Sequence, residues 1–481
     1  MNNVLPVIAL VGRPNVGKST LFNRLTRTRD ALVADQPGVT RDRHYGFAIH
    51  DSRRYIVIDT GGIGQDDEDI DAQAFAQTTA ALEEADVVLL VTDSRQGLMP
   101  GDRIIAEQLR RMQQPVHVVV NKSEGQVGVS ATAEFHALAL GDPWAVSATH
   151  GDRINALLAQ VFADLPEPRA QSTAYHGDAI RIALLGRPNA GKSTLVNRFL
   201  GETRMLTQDA PGTTRDAVAS EFYFDDKPYV IVDTAGVRRR TRIDDFVEKL
   251  SVVKAMQAAE QAQVVIIMLD AVSGLSSQDQ RLLSLAVERG RATLLVVNKW
   301  DGLDNKQREK LHADLVKRMG AFDYLPLLFI SALHGSGLRE LLDAVQASHK
   351  AAFAELNTSQ LSRELEAAVE AHAPPAIHGR RIKLRFAHQG GRNPPSIVIH
   401  GNQTQRLSDE YKRYLMRRFR ERFNLFGTPI QLFFKNSENP FASPSDGKTR
   451  PKPKDKGYGK SKGQNKGPNK GQNKDKRPRK R

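Results

Sequence analysis

The chain has no cysteine in 481 residues, which excludes disulfide frameworks, thiolate metal centres and thiol nucleophiles and suits a reducing compartment. It also lacks any apolar run near the roughly 18 residues that a spanning helix needs, so we expect no membrane contact and a cytoplasmic location. The opening MNNVLPVIALVG has neither the charged leader nor the cleavage site of a secretory signal; it reads as a first strand. Acidic residues are scarce at one end. Residues 436–481 hold 15 Lys and Arg against 4 Asp and Glu, and residues 357–435 hold 14 against 6, so with a total of +14 the first 356 residues carry a net −5. Such asymmetry points to a polyanionic partner, RNA above all, because each neutralised phosphate releases counterions.

What the chain does have, twice, is a phosphate-binding loop of the form G-x-x-x-x-G-K-[ST]. The first copy is Gly12-Arg13-Pro14-Asn15-Val16-Gly17-Lys18-Ser19, with Thr20 following, and the second is Gly186-Arg187-Pro188-Asn189-Ala190-Gly191-Lys192-Ser193, with Thr194 following. Each stands behind an apolar run and ahead of a helical pattern, the context the motif requires. PGVTRD at 37–42 returns as PGTTRD at 211–216, and DTGG at 59–62 as DTAG at 233–236, all displaced by 174 positions. A duplicated domain is the economical reading.

Apolar runs at 7–11, 55–58, 87–91 and 116–120 alternate with helical patterns at 18–26, 72–84 and 102–112. The runs at 180–185, 229–232, 264–269 and 293–297 repeat the arrangement. Near-continuous apolar strands alternating with helices predict doubly wound, mainly parallel α/β sheets, covered on both faces, with ligands at the carboxyl ends of the strands. We expect a first domain over 1–165, a polar, proline-bearing linker over 166–178 and a second domain over 179–352. Residues 353–435 then read as a small α+β domain: helix 359–371, strands 382–387 and 396–400, helix 408–423, strand 430–434. The Lys-, Gly- and Asn-rich stretch 436–481 has too little apolar surface to offset its ordering entropy and is expected to be disordered when free.

The chemistry follows from the residue types. The loop glycines let backbone N–H groups close on phosphates, Lys18 and Lys192 reach the β and γ oxygens, and Ser19 and Ser193 offer hydroxyls to Mg²⁺. Thr40 and Thr214, in the polar loops after the first helix of each unit, can join Mg²⁺ and sense a γ-phosphate. Asp59 and Asp233 end strands beside the same ion, and Thr60, Gly61 and Gly62, like Thr234, Ala235 and Gly236, let backbone approach a terminal phosphate. Asn121, Lys122 and Glu124, and Asn298, Lys299 and Asp301, close later strands; the second set is N-K-x-D, whose carboxylate accepts from guanine N1–H and the exocyclic amine. Ser147-Ala148 and Ser331-Ala332 fit the segment that backs the base.

These ordered motifs resemble the small GTPases of the TRAFAC class. Two such units ahead of a small basic α+β domain resemble the bacterial ribosome-assembly GTPases called Der or EngA, over residues 1 to about 435. The resemblance implies two tandem P-loop GTPase domains, a KH-like third domain, two GTP/GDP sites with Mg²⁺, GTP hydrolysis, and the large ribosomal subunit and its rRNA as partner, with no obligate protein partner inferred. Three departures stand out. Glu124 replaces the guanine-reading Asp. Ile63 and Val237 occupy the place of the water-orienting Gln of Ras-like enzymes; resemblance to cation-activated GTPases then implies K⁺, held with the help of Asn15 and Asn189. The third region lacks G-x-x-G, offering only Gly390-Gly391-Arg392-Asn393, so RNA contact there is expected from Arg380, Arg381, Lys383 and Arg385 on a strand and from Lys412, Arg413, Arg417, Arg418, Arg420 and Arg422 on the helix. Alternation predicts Arg381, Lys383 and Arg385 on one face of that strand and Ile382, Leu384 and Phe386 on the other. The segments after the third motif, acidic at 65–69 and basic at 238–242, are candidate switches, the acidic one for the basic third domain.

Overall fold

A computed structural model of the chain describes residues 5–26, 44–60, 82–112, 114–125, 131–165, 177–202, 219–232, 252–375 and 382–436. The switch segments, the expected helix at 72–84 except its last residues, nearly all of the linker, Arg380, Arg381 and the basic stretch after Asn436 lie outside them.

The first domain is built on β1 (Val7–Val11), β2 (His44–His50), β3 (Arg53–Asp59), β4 (Val87–Asp93), β5 (Val116–Asn121) and β6 (Trp144–Ala145), ordered β2-β3-β1-β4-β5-β6. All neighbours are parallel except β2, which pairs antiparallel with β3 through an Asp51-Ser52 turn whose two residues have positive φ; a two-residue hairpin matching strand twist requires that conformation. Central strands are apolar on both faces because both are covered. Helices α1 (Lys18–Thr26) and α3 (Ile154–Asp164) pack one face through Leu21, Leu25, Leu157 and Val161; α2 (Pro100–Arg110) packs the other through Ile105 and Leu109. Helix α2 begins two residues before the apolar pattern suggests, because Pro100 suits a first helical turn, where its missing N–H costs nothing.

The second domain repeats the plan with β7 (Ile180–Leu185), β8 (Ala219–Phe224), β9 (Lys227–Val232), β10 (Val264–Asp270), β11 (Ala292–Asn298) and β12 (Leu327–Phe329), in the order β12-β11-β10-β7-β9-β8. Its helices are α4 (Lys192–Glu202), α5 (Val252–Gln261), α6 (Ser277–Glu288), α7 (Asn305–Met319) and α8 (Leu338–Ala352).

Helix α5 is shared. Ala255, Ala258 and Ala259 belong to the second domain's core, whereas Val253 and Met256 pack with the first domain's Leu5, Val7 and Ile105. Near its C-terminal end, Glu260 gathers three guanidinium groups: Arg54 of β3, Arg291 at 3.5 Å and Arg289 at 4.0 Å. Arg289 also lies over the ring of Phe47, and burial pulls its pKa down to about 9 despite Glu260.

The third domain has helices α9 (Thr358–Ala371) and α10 (Asp409–Phe423) on one face of a sheet ordered β13 (Lys383–Gly391), β14 (Ser396–Asn402), β15 (Gln431–Asn436). Ser408 is the cap of α10 and not its first residue, its hydroxyl accepting from the Tyr411 N–H at 3.3 Å as a helix start requires. Expected alternation along β13 fails at one point: a bulge between Leu384 and Phe386 sends Phe386 to the open face, 43% exposed, while Ala387 turns inward and is fully buried. One extra residue in a strand inverts the facing of all that follow. The domain is keyed to its neighbour by the Thr293 N–H donating to Gly427 O at 2.7 Å and the Asn393 N–H donating to Ala352 O at 2.9 Å.

Glu260 pairs with all three arginines at the junction, with Glu288 also near Arg289, and removing one partner of a buried ionic cluster leaves uncompensated charge. Glu260→Ala is expected to cost about 3–5 kcal/mol, read as a lower unfolding midpoint in urea; a loss under about 1 kcal/mol would show the cluster to be solvent-screened.

Candidate nucleotide sites

The phosphate loops are set by backbone geometry. Gly17 (φ +99°) and Gly191 (φ +95°) are left-handed, and a Cβ on either would collide with the side-chain amide of Asn121 or Asn298; only glycine meets both demands. Asn15 and Asn189 are also left-handed, at φ 63° and 62°, a conformation that Asn tolerates better than most residues. Both are exposed, and neither side-chain amide has a hydrogen-bond partner among the described residues. Conformation thus accounts for the residue type, and the amide oxygen is left available.

Lys18 and Lys192 fold over the loops. The Lys18 Nζ donates to Gly12 O at 2.8 Å and Arg13 O at 2.7 Å, and the Lys192 Nζ donates to Gly186 O at 2.8 Å and Arg187 O at 2.6 Å. Burial lowers the Lys18 pKa to about 8, with Asp59 pulling the other way. The Ser19 hydroxyl donates to Asp59 Oδ2 at 2.8 Å, so two hard oxygen donors from β3 and the start of α1 meet where a hard divalent cation is expected. That pairing fits Mg²⁺, which takes one or two protein oxygens and completes its shell with phosphate and water. Thr60 is committed elsewhere, its hydroxyl donating to Leu10 O at 2.9 Å. Thr40, Gly61 and Gly62 in the first domain, and Thr214, Asp233, Thr234, Ala235 and Gly236 in the second, lie outside the described residues.

Arg13 and Arg187 turn their side chains to buried acids. The Arg13 Nε donates to Asp102 Oδ1 at 2.9 Å, and Arg187 pairs with Asp279 Oδ2 at 2.9 Å. Both acids are fully buried, each in the first turn of its helix, α2 or α6, and so fix the loop against the helix beside it.

The base-reading residues are joined to the loop by a buried amide. Asn121, ending β5, donates from Nδ2 to Val16 O at 2.9 Å and accepts at Oδ1 from the Ala148 N–H at 3.0 Å. Asn298 repeats this with Ala190 O at 2.9 Å and the Ala332 N–H at 2.9 Å. One side chain therefore holds the phosphate loop, its own strand end and the Ser-Ala segment in register. Lys122 and Lys299 are left-handed; the first donates to Asn15 O at 2.8 Å and Asp93 Oδ2 at 2.7 Å, the second to Asp270 Oδ2 at 2.6 Å. Arg24 of α1 donates to Ala148 O at 3.0 Å.

The acids differ between the sites. Asp301 is held below the ordinary carboxylate range by the Ser331 hydroxyl, its own backbone N–H and nearby His334, which lies at 3.4 Å. Glu124 is lowered by its own backbone N–H, then by the Ser147 hydroxyl and Arg95, and pairs with Arg95. At the matching place after β10 the second domain has exposed Val272. Sequence reasoning missed Asp93, Arg95 and Asp102. A signal existed for two of them: Asp93 and Asp102 recur as Asp270 and Asp279 at the same 177-residue displacement that separates Asn121 from Asn298.

Two doubly wound domains, each with a phosphate loop tied to a base-reading loop at its strand ends, define a tandem P-loop GTPase. Residues 7–122 and 181–299 match the family model described as 50S ribosome-binding GTPase, and residues 355–435 match the KH-domain-like region, C-terminal, of EngA bacterial GTPase enzymes. The chain is 51% identical over 438 residues to GTPase Der of Methylococcus capsulatus and 51% over 440 to that of Thioalkalivibrio sulfidiphilus, in each case covering 91% of this chain and 95% of the relative. It is 49% identical over 442 residues to GTPase Der of Legionella pneumophila strain Corby, covering 92% and 95%. The chain belongs to the Der (EngA) family of GTPases, with two GTPase domains and a KH-like third.

Removing the tie should act on stability and binding together. Asn298→Ala leaves Ala190 O and the Ala332 N–H buried without a partner, so we expect a loss of about 2–4 kcal/mol in the second domain and at least roughly tenfold weaker GDP binding, read by thermal melting and titration with a fluorescent GDP analogue. The Glu124 and Asp301 carboxyls, the expected base readers, stay ionised until the pH falls through their depressed values. The GDP-over-ADP preference is therefore expected to hold as the pH falls through the ordinary carboxylate range and to be lost only in more acid solution; competition titrations, in which the shared phosphate ionisation cancels, check this.

Proposed function

We propose that the chain is a GTP-hydrolysing switch that binds the large ribosomal subunit or its rRNA and acts in ribosome biogenesis. The observation that carries the nucleotide part is the paired Asn121 and Asn298 tie, which brings a phosphate loop and a guanine-reading loop to one mouth in each domain. The partner is argued from the family model's description as a 50S ribosome-binding GTPase and from the excess of Lys and Arg after residue 357. Among the described residues no helix is long and apolar enough to cross a membrane, and we assign the protein to the cytoplasm.

In this reading the phosphates lie along the loop N–H groups, with Lys18 and Lys192 turning from loop carbonyls to the β and γ oxygens. Ser19, Asp59 and Thr40, and Ser193, Asp233 and Thr214, would hold Mg²⁺, which neutralises charge between the β- and γ-phosphates when bound. With Ile63 and Val237 where a water-orienting glutamine would stand, the exposed amides of Asn15 and Asn189 would help hold K⁺ against the phosphates. Asp301 gives the second site firm guanine selection, since adenine offers no matching donor pair and leaves the acid unpaired. At the first site guanine has to share Glu124 with Arg95.

Turnover of GTP and ATP in K⁺ against Na⁺ tests this. GTP hydrolysis with Mg²⁺, at least roughly tenfold faster in K⁺ and undetectable for ATP, together with nucleotide-dependent co-sedimentation with 50S subunits, is the expected result. Turnover absent in K⁺ would leave a nucleotide-gated RNA-binding scaffold, and equal use of ATP would leave an ATP-driven RNA remodeller.

A further inference from the structure

The KH-like domain has a face that neither the nucleotide sites nor its own core uses. Helices α9 and α10 cover one side of its sheet through Ala387, Ile397, Ile399 and Leu432. On the other side the register places Phe386 beside His400 beside Lys435, and in the next row His388 beside Val398 beside Phe433. Phe386 is 43% and Phe433 47% exposed. Phe386 and His400 stack almost parallel, with centroids 4.3 Å apart and planes at 8°, and His388 continues the stack to His400 at 5.2 Å. The His400 Nε2 has no hydrogen-bond partner among the described residues.

Large exposed rings are expensive to leave in water, and a contiguous set marks a binding surface. Charge says of what kind. The three strands KLRFAHQGG, SIVIHGN and QLFFKN contain no acidic residue, while Lys383, Arg385 and Lys435 are exposed along them. Flat rings set among cations and free of carboxylates suit unpaired bases, whose π-faces stack and whose phosphates take the charge. The alternative clamp is not available. Gly390-Gly391-Arg392-Asn393 forms the end of β13 and the turn into β14, where Asn393 is bonded to Ala352 and Pro394 packs on Gly290. Burial, then His388 and Lys435, lowers the His400 pKa, consistent with a neutral stacking ring.

We propose that the open face of β13, β14 and β15 is a stacking platform for single-stranded RNA, with Phe386, His388, His400 and Phe433 receiving bases and Lys383, Arg385 and Lys435 the backbone. The proposal rests on the rRNA reading above and names the form of RNA and the surface that takes it. The platform exists because of the bulge at Arg385, without which Phe386 would point into the core.

The test uses the full-length protein, a fluorescent ten-nucleotide oligouridine and a ten-base-pair RNA duplex, with anisotropy followed across KCl concentrations. Phe386→Leu with Phe433→Leu is expected to weaken binding of the single strand roughly 10- to 100-fold with the salt slope unchanged, whereas Phe386→Tyr with Phe433→Tyr retains it. Lys383→Gln, Arg385→Gln and Lys435→Gln together should lower the slope by about 2. Intact GTP turnover reports that each variant is folded. Photo-crosslinking of wild-type protein to 4-thiouridine oligomers gives a readout independent of the variants, and crosslinks are expected within β13–β15. Three results would overturn the proposal: leucine variants that bind like wild type, duplex bound as tightly as single strand, or crosslinks confined to residues 437–481. A change in interdomain scattering in the leucine variants with RNA affinity unchanged would instead assign the face to the protein's own domains. Retained 50S co-sedimentation alongside any of these would sink the platform and leave the proposed function standing.

Discussion

Each nucleotide site depends on one buried asparagine at the end of a parallel strand. Asn121 and Asn298 each use a side-chain donor on the phosphate loop and an acceptor on the Ser-Ala segment, and the loop glycine is forced by the space that the amide occupies. No smaller or apolar residue meets both orphan backbone groups, and in a fully enclosed position an unmet group costs more than a typical hydrogen bond gains. The phosphate-loop motif, the strand end and the Ser-Ala segment are for this reason a single mechanical unit. The Arg13–Asp102 and Arg187–Asp279 pairs tie the same loops to the neighbouring helices.

The two units are alike in the phosphate-loop motif and unlike around Glu124 and Asp301. Loop carbonyls, lysine and asparagine make the same hydrogen bonds residue for residue, but Glu124 is tethered to Arg95 whereas Asp301 faces His334. The domains are also joined by α5, the first described element after the second domain's third motif. With Ala255 and Ala259 in one core and Val253 and Met256 in the other, this helix cannot shift without disturbing packing in both, and close-packed interiors transmit such shifts instead of absorbing them. Near-identity of the loops goes with different surroundings for Glu124 and Asp301 and with one helix packed into both cores.

Much of this was legible in the sequence, because phosphate binding is a backbone task with strict steric demands. Glycines at 12, 17, 186 and 191 and the strand-ending Asn-Lys pairs mark it directly. The edge strands β2 and β8 were less visible, since half-exposed antiparallel edges carry little apolar signal and their two-residue turns are Asp-Ser and Asp-Asp without glycine. Asp102 and Asp279 were missed for a related reason. A buried acid at a helix start looks like an ordinary cap, and only the arginine that reaches it from the phosphate loop gives it a second task.

The facing of Phe386 was illegible on principle. Period-two alternation assigns a strand residue to the core or to solvent by parity alone, and parity is lost wherever a bulge adds a residue. Leu384 and Ala387 both face the helices although they are three apart, so Arg385 and Phe386 are both left to the outside. Once the bulge is placed, the pattern is regular as far as the next register shift after Gln389: His388 outward, Gln389 toward the helix side, where it bonds Ala354 and Leu356. The same irregularity that defeats alternation gathers Phe386, His388 and His400 into one stack. A strand built only to close a core would gain nothing from exposing a phenylalanine there, so the cost of that exposure is itself the argument that the face is made to be covered.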